Sequence, residues 1–227
     1  MKNAASLFSV VIYRKNERSA AYHEEYSLQS FSYFKRTVVK ETLGFLSKML
    51  VQNIDLEELP KELVHHMEED EKGYKMFVKE RGGMIYIVGT VLEYPSNTLS
   101  LFVEDIAKFI GEMGEKARIK EMEEEYMGAE DKKKFAEKRY EEDKGRLAKY
   151  LREQMGEYQD YAQKDIVTQI QDELGMVEEI LKETIENALN RGGKIDELIN
   201  SADSLSFQTK TLYRLSKKQN KRCCGIV

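Results

Sequence analysis

From Val167 onward, apolar and small residues recur at alternating spacings of three and four. The positions are Val167, Ile170, Leu174, Val177, Leu181, Thr184, Ala188, Arg191, Ile195, Leu198, Ala202, Leu205, Thr209, Leu212, Ser216 and Gln219. A repeat averaging 3.5 residues is the seam of a left-handed coiled coil. Such a seam cannot be satisfied by one helix in water, because its stripe must be covered by other helices. As a single helix it would run ~80 Å at 1.5 Å per residue. The small residues Ala188, Ala202 and Ser216 alternate with large ones, which suits a bundle of several helices better than a two-stranded zipper.

One seam position is charged. Arg191 falls between Ala188 and Ile195. A buried arginine is costly without fixed polar partners, and a single polar core residue sets register and partner choice. Gly192 and Gly193 follow it, each costing ~1 kcal/mol against alanine in a helix. Past Asp203 there is no acid, while Lys210, Arg214, Lys217, Lys218, Lys221 and Arg222 accumulate. A basic run of this kind is drawn to anionic lipid headgroups.

The run Cys223-Cys224-Gly225-Ile226-Val227 fits a C-a-a-X box. A prenyltransferase would attach an isoprenoid to Cys224, and Cys223 is placed for palmitate or a second prenyl chain. One chain anchors marginally and two anchor stably. Both cysteines lie in this tail, so no disulfide framework or zinc site can be built from them. No apolar run reaches the ~18 residues needed to span a bilayer. The apolar stretch Ala4 to Tyr13 reads as a buried strand rather than a secretory signal.

The first half alternates strand and helix patterns. Leu7 to Tyr13 is β-branched and aromatic, and with Ala20-Ala21-Tyr22-His23 it predicts a β-hairpin. Ser30 is the expected N-cap of a helix carrying Phe31, Phe34, Val38, Thr42, Phe45 and Met49, ending near Gln52. Tyr74–Val78 and Met84–Val88 form a second hairpin about Gly82-Gly83. Ser96 is expected to cap a helix with Leu99, Phe102, Val103, Ile106, Phe109 and Ile110 on one face. Leu59 to Met67 fits either a helical turn or a short strand.

Residues from about Glu112 to Tyr161 are charge-dense, and a solvated helix or helix pair is expected there. Tyr158 and Tyr161 are expected to extend its apolar face. The net charge of -5 argues against a nucleic-acid partner. No phosphate loop or nucleophile elbow is present, so no catalytic residue, cofactor or metal site is expected.

Arg191-Gly192-Gly193-Lys194-Ile195-Asp196-Glu197-Leu198 resembles the segment around the central ionic layer of arginine-type SNAREs. With Cys223 and Cys224, and without a membrane span, the chain resembles the YKT-type prenylated longin SNAREs. Ser30 to Phe34 and Glu93-Tyr94-Pro95-Ser96 sit where that family has similar strings. The resemblance implies an α+β longin domain, a profilin-like antiparallel sheet flanked by helices, over 1–114. A charged helical extension at 115–160, a SNARE coiled-coil segment at 161–222 and the lipidated tail at 223–227 would follow.

It further implies that Arg191 is the zero-layer arginine, meeting glutamines from Qa, Qb and Qc partner helices. A hydrophobic groove would be lined by Phe31, Phe34 and Phe45. The SNARE segment would fold back over that groove in a closed state and shelter the isoprenoid. The implied function is vesicle docking and membrane fusion on the cytosolic face of Golgi, ER and endosomal membranes. A lipid-anchored coiled-coil tether without fusion activity is the alternative.

Overall fold

The structure is a computed structural model. It describes residues 6–66, 73–124, 129–160, 180–190, 202, 205–207 and 209–211. Among these, six strands form one sheet in the order β2-β1-β5-β4-β3-β6. They are β1 (Leu7–Arg14), β2 (His23–Tyr26), β3 (Lys61–His66), β4 (Gly73–Arg81), β5 (Met84–Val91) and β6 (Leu181–Thr184). The first five pair antiparallel, and β6 joins the outer edge of β3 in parallel. This is the longin architecture, with the sheet edge occupied by a strand from the distal heptad segment.

Strand alternation builds two cores. Val11, Tyr13, Met76, Val78, Ile85 and Ile87 point to one face, against Phe45, Leu46 and Leu50 of helix α1 (Tyr33–Asn53). Leu7, Val10, Ile12, Phe77, Tyr86 and Val88 point to the other, against helix α2 (Ser96–Glu124). Residues two apart share a face, so a one-residue slip would exchange the two sets. The β4–β5 turn fixes that register. Arg81 pairs with Met84, and Gly82 and Gly83 adopt φ values of 59° and 75°. A two-residue hairpin turn of this type needs positive φ at both central residues, which glycine adopts without penalty.

Most expected elements are present, with shifted ends. The N-cap position of helix α1 is Ser32 rather than Ser30, and its side chain makes no capping hydrogen bond. The preceding residues close a turn through Phe31 N to Leu28 O, and Arg36 donates back to the carbonyls of Phe31 and Gln29. The ambiguous 59–67 stretch is strand β3, preceded by a short 3-10 turn at Leu56–Glu58. The heptad segment is not continuous here, since 181–184 is a strand and a short helix α4 (Ile185–Asn190) follows it. Among the described seam residues, Ala188, Leu205 and Thr209 are buried against the domain, while Leu181 and Thr184 are exposed.

The charge-dense region holds the rest of α2 and helix α3 (Ala129–Glu157). Its far half is part of the core: Leu147, Leu151, Met155 and Tyr158 are buried with α2 and the sheet. Phe109 and Tyr150 stack at 3.8 Å. The Tyr158 hydroxyl donates to Asp105 at 2.6 Å, and the Tyr94 hydroxyl donates to the Tyr158 carbonyl at 2.8 Å. Gln159 then bonds the backbone of Ser6 and Leu7. The expected boundary at 114 therefore falls inside α2.

Candidate functional site

The site is the surface on which the heptad segment lies. Ile180 packs on the α2/α3 face, and Ile185, Ala188 and Leu189 are buried on the α1 face. The segment thus crosses the sheet at the β3 edge. Its strand register sets Glu62 beside Lys182 and Leu63 beside Glu183. Leu181 N donates to the Pro60 carbonyl at 3.3 Å.

Reciprocal charges reinforce that register. Lys61 Nζ lies 2.7 Å from Glu183 and 2.6 Å from Glu58. Glu62, buried to 2% exposure, lies 2.7 Å from Lys75 and 3.7 Å from Lys182. Ser96 Oγ donates to the same Glu62 oxygen that Lys75 contacts. Burial pulls the Lys61 ammonium down, but Glu183 and Glu58 outweigh it and hold its pKa above the usual lysine value. Burial likewise pulls Lys75 down, and there Glu62 does not fully offset it. A strand arriving with charges reversed, or shifted by one residue, would face like charge in a poorly solvated place.

Farther along, Leu205 is buried in the α1 core with Ala202 packed against it. Glu41 on α1 accepts from Ser206 N at 2.9 Å and from the Thr209 hydroxyl at 2.6 Å. Burial opposes the Glu41 carboxylate, but the Thr209 and Ser206 hydrogen bonds prevail and hold its pKa below the usual glutamate value. The arrangement can hold a peptide segment and release it.

The expected site residues divide clearly. Ala188, Leu205 and Thr209 are buried against the domain, and Ala202 is half-buried there. Leu181 and Thr184 are exposed on β6. Of the groove residues, Phe45 is in the core and Phe31 is half-buried, edge-on to Phe8 at 5.9 Å. Phe34, in the first turn of α1, is 89% exposed. Val167, Ile170, Leu174, Val177, Arg191, Ile195, Leu198, Leu212, Cys223 and Cys224 lie outside the described residues.

Sequence reasoning missed Lys61, Glu62, Glu183 and Glu41, and also Ile185 and Leu189, which lie off the seam. One signal was available: Lys-Glu occurs in the same order at 61–62 and 182–183, as parallel strands with crossed ion pairs require. No described helix is long and apolar enough to cross a membrane.

The synaptobrevin family profile matches residues 166–225. The synaptobrevin homolog ykt6 of Schizosaccharomyces pombe is 26% identical over 200 residues, covering 88% of this chain and 87% of that protein. The VAMP-like protein YKT61 of Arabidopsis thaliana is 27% identical over 87% of this chain and 85% of its own length. The synaptobrevin homolog YKT6 of Saccharomyces cerevisiae is 36% identical over 103 residues, which is 45% of this chain and 50% of that protein.

Proposed function

Starting from a chain that is a YKT-type R-SNARE with a SNARE role in vesicle trafficking, we propose that it drives membrane fusion and that its N-terminal domain holds the SNARE segment inactive until partners arrive. The seam from about 161 to 222 zips with Qa, Qb and Qc glutamine-type helices, and Arg191 forms the polar layer that sets their register. Burial of the seam releases ~25 cal/mol per Å² of apolar surface, less the cost of ordering the chain. That energy draws the lipid-bearing end toward the opposing bilayer. Prenylation at Cys224, with palmitate or a second prenyl chain at Cys223, supplies the anchor. Golgi, ER and endosomal membranes are the proposed sites of action.

One observation carries the regulatory part. Ala188, Leu205 and Thr209 belong to the seam, yet all three are buried against the domain. A residue cannot face α1 and three partner helices at once, so folding back and zipping exclude each other. The ligand that opens the chain must bind the free segment more tightly than the domain does.

The test is to mix the full-length chain with the three glutamine-type helices and follow helicity and resistance to SDS. A resistant four-helix complex with gained helicity is expected, forming faster when 1–160 is removed. Reconstitution of the lipidated chain into vesicles should then give lipid mixing. A self-paired coil, or no complex, would refute the fusion role and favour a lipid-anchored tether.

A further inference from the structure

Helix α3 lies along the outer strand of the sheet, and a histidine sits under the contact. His23 opens β2 and is 8% exposed. It pairs with Ile12, whose side chain belongs to the α2/α3 core, so it faces that side. Glu25, two residues on and on the same face, is bonded to Arg152 of α3 at 3.1 Å. On the other side of His23, burial raises the pKa of Tyr22, Arg14 opposes it, and Asp143 and Tyr140 of α3 add to it. Strand β2 therefore runs alongside residues 140–152 of α3, with His23 beneath that stretch.

Buried polar groups are normally hydrogen-bonded, and here one is not. His23 Nε2 is buried and has no hydrogen-bond partner. Glu25 Oε2 lies 3.8 Å away, too far for a hydrogen bond. The other Glu25 oxygen accepts from Arg152 Nε. As a neutral ring, His23 is an apolar plate beneath α3.

The surroundings resist a second proton on that ring. The charged groups facing it are Glu25 on its own strand and Lys144 and Arg152 on α3. Arg14 of β1 sits over the Tyr22 ring at 4.7 Å, Asp143 is paired with Arg146 at 3.5 Å, and Glu24 accepts from the Tyr26 hydroxyl at 3.0 Å. Burial lowers the His23 pKa, Glu25 opposes it, and Lys144 and Arg152 lower it further. Protonation puts N–H on both ring nitrogens. To meet the one at Nε2, Glu25 has to turn toward the ring and away from Arg152. Three cations then share one carboxylate across the α3–β2 contact, in a poorly solvated place.

We propose that His23 is an acid-sensitive latch: neutral, it lets α3 lie on β2, and protonated, it frees α3 from that strand. The sign follows from linkage. The docked ring takes its proton less readily than a solvated histidine, so docking is strongest above about pH 6.5 and weakens as pH falls through the lowered value. The latch also reaches the heptad segment. Leu151, Met155 and Tyr158 share their core with Ile180, which leads into β6.

The test is amide exchange of the full-length chain between about pH 7.5 and about pH 5, corrected for the intrinsic effect of acidity on exchange. Most ordinary carboxylates stay ionised over that range. Exchange at 147–157 should rise several-fold on acidification and run faster than exchange in β5, the mark of a local opening. Exchange at 181–184 should rise with it. In His23→Gln, which cannot take the proton, the rise at 147–157 should disappear. A second measurement needs no variant: the His23 imidazole, followed by NMR in the wild type, should titrate with the same midpoint as the opening of α3.

No rise in the wild type, or an equal rise in His23→Gln, would refute the latch. Equal exchange in α3 and β5 would make the event global unfolding. A His23 midpoint at or above that of a solvated histidine would mean that α3 does not bear on the ring. Unchanged exchange at 181–184 would refute the reach of the latch to β6.

Discussion

Leu189 offers the sharpest separation between folding back and zipping. The seam passes through Thr184, Ala188 and Arg191, so Leu189 follows a seam position and lies on the outside of a helical bundle. In the folded-back form it is completely buried in the α1 core. Leu→Ala in a rigid core costs ~2–5 kcal/mol in lost transfer energy and residual cavity. Helix α4 is short and can settle inward, so the lower part of that range, ~2–3 kcal/mol, applies. That is ~30–150-fold in the balance between folded-back and released segments. In the released chain the side chain is solvated, and its truncation is worth less than ~0.5 kcal/mol. Amide exchange along β6 and the facing edge of β3 should therefore accelerate by the same factor. Assembly with glutamine-type helices should speed up, while the assembled bundle melts at an unchanged temperature. Unaltered exchange would refute the packing argument, and a weakened bundle would refute the placement of Leu189 outside the seam.

Other perturbations test the remaining contacts. Glu183→Gln leaves Lys61 with Glu58 alone and should weaken β6 docking by ~1–2 kcal/mol, read as faster exchange at 181–184. Glu41 has a depressed pKa in the folded-back form, so its contribution is present above the ordinary glutamate value of 4.5 and is lost as pH falls through the depressed one. Exchange at 206–209 should therefore rise on acidification below about pH 4.5, and Glu41→Gln should flatten that rise. His23 is buried against α3, and burial holds its pKa below 6.5, with Lys144 and Arg152 adding to the effect and Glu25 opposing it. The unfolded chain then binds more protons below about pH 6.5, so domain stability should fall as pH drops through that range. Thermal melts of the wild type and His23→Gln should lie closest near neutrality and separate under acid, where only the wild type loses this contribution.

Local patterns wrote the domain plainly. Alternation in Leu7–Tyr13 and Met84–Val88, glycines at the turn and a three-four spacing in α1 and α2 are short-range signals, and the structure follows them. The charge-dense region was harder to read. Leu147, Leu151, Met155 and Tyr158 recur at helical spacing, but the surrounding charges dilute the apolar signal, and the partner surface lies far away in sequence. Strand β6 was illegible for a different reason. Leu181-Lys182-Glu183-Thr184 has no strong strand propensity of its own, and its extended form depends on the exposed edge of β3 and on Lys61 and Glu62. On the proposed function, these strand residues would instead join a helical seam when partner helices are available.

If the proposed function holds, closure is built partly off the seam. Ile185, Ala188 and Leu189 are spaced one, four and five residues on from Thr184, so α4 presents to the domain a stripe rotated from the zipping face. On the proposed function, Ala188 lies in both stripes and, with Leu205 and Thr209, makes the two states exclusive. Ile185 and Leu189 supply burial to the folded-back state alone. The strength of closure can therefore be set at Ile185, Leu189, Glu183 and Glu41 without altering a bundle layer. A segment closed only through its seam could not be tuned this way, because each change in closure would change zipping by a similar amount. The prediction is a lack of correlation: across substitutions at those four positions, β6 exchange rates should vary widely while bundle stability stays nearly constant. Substitutions at Ala188 should move both. If the four positions also moved bundle stability in proportion, the two stripes would be one surface and the separation argued from α4 would fail.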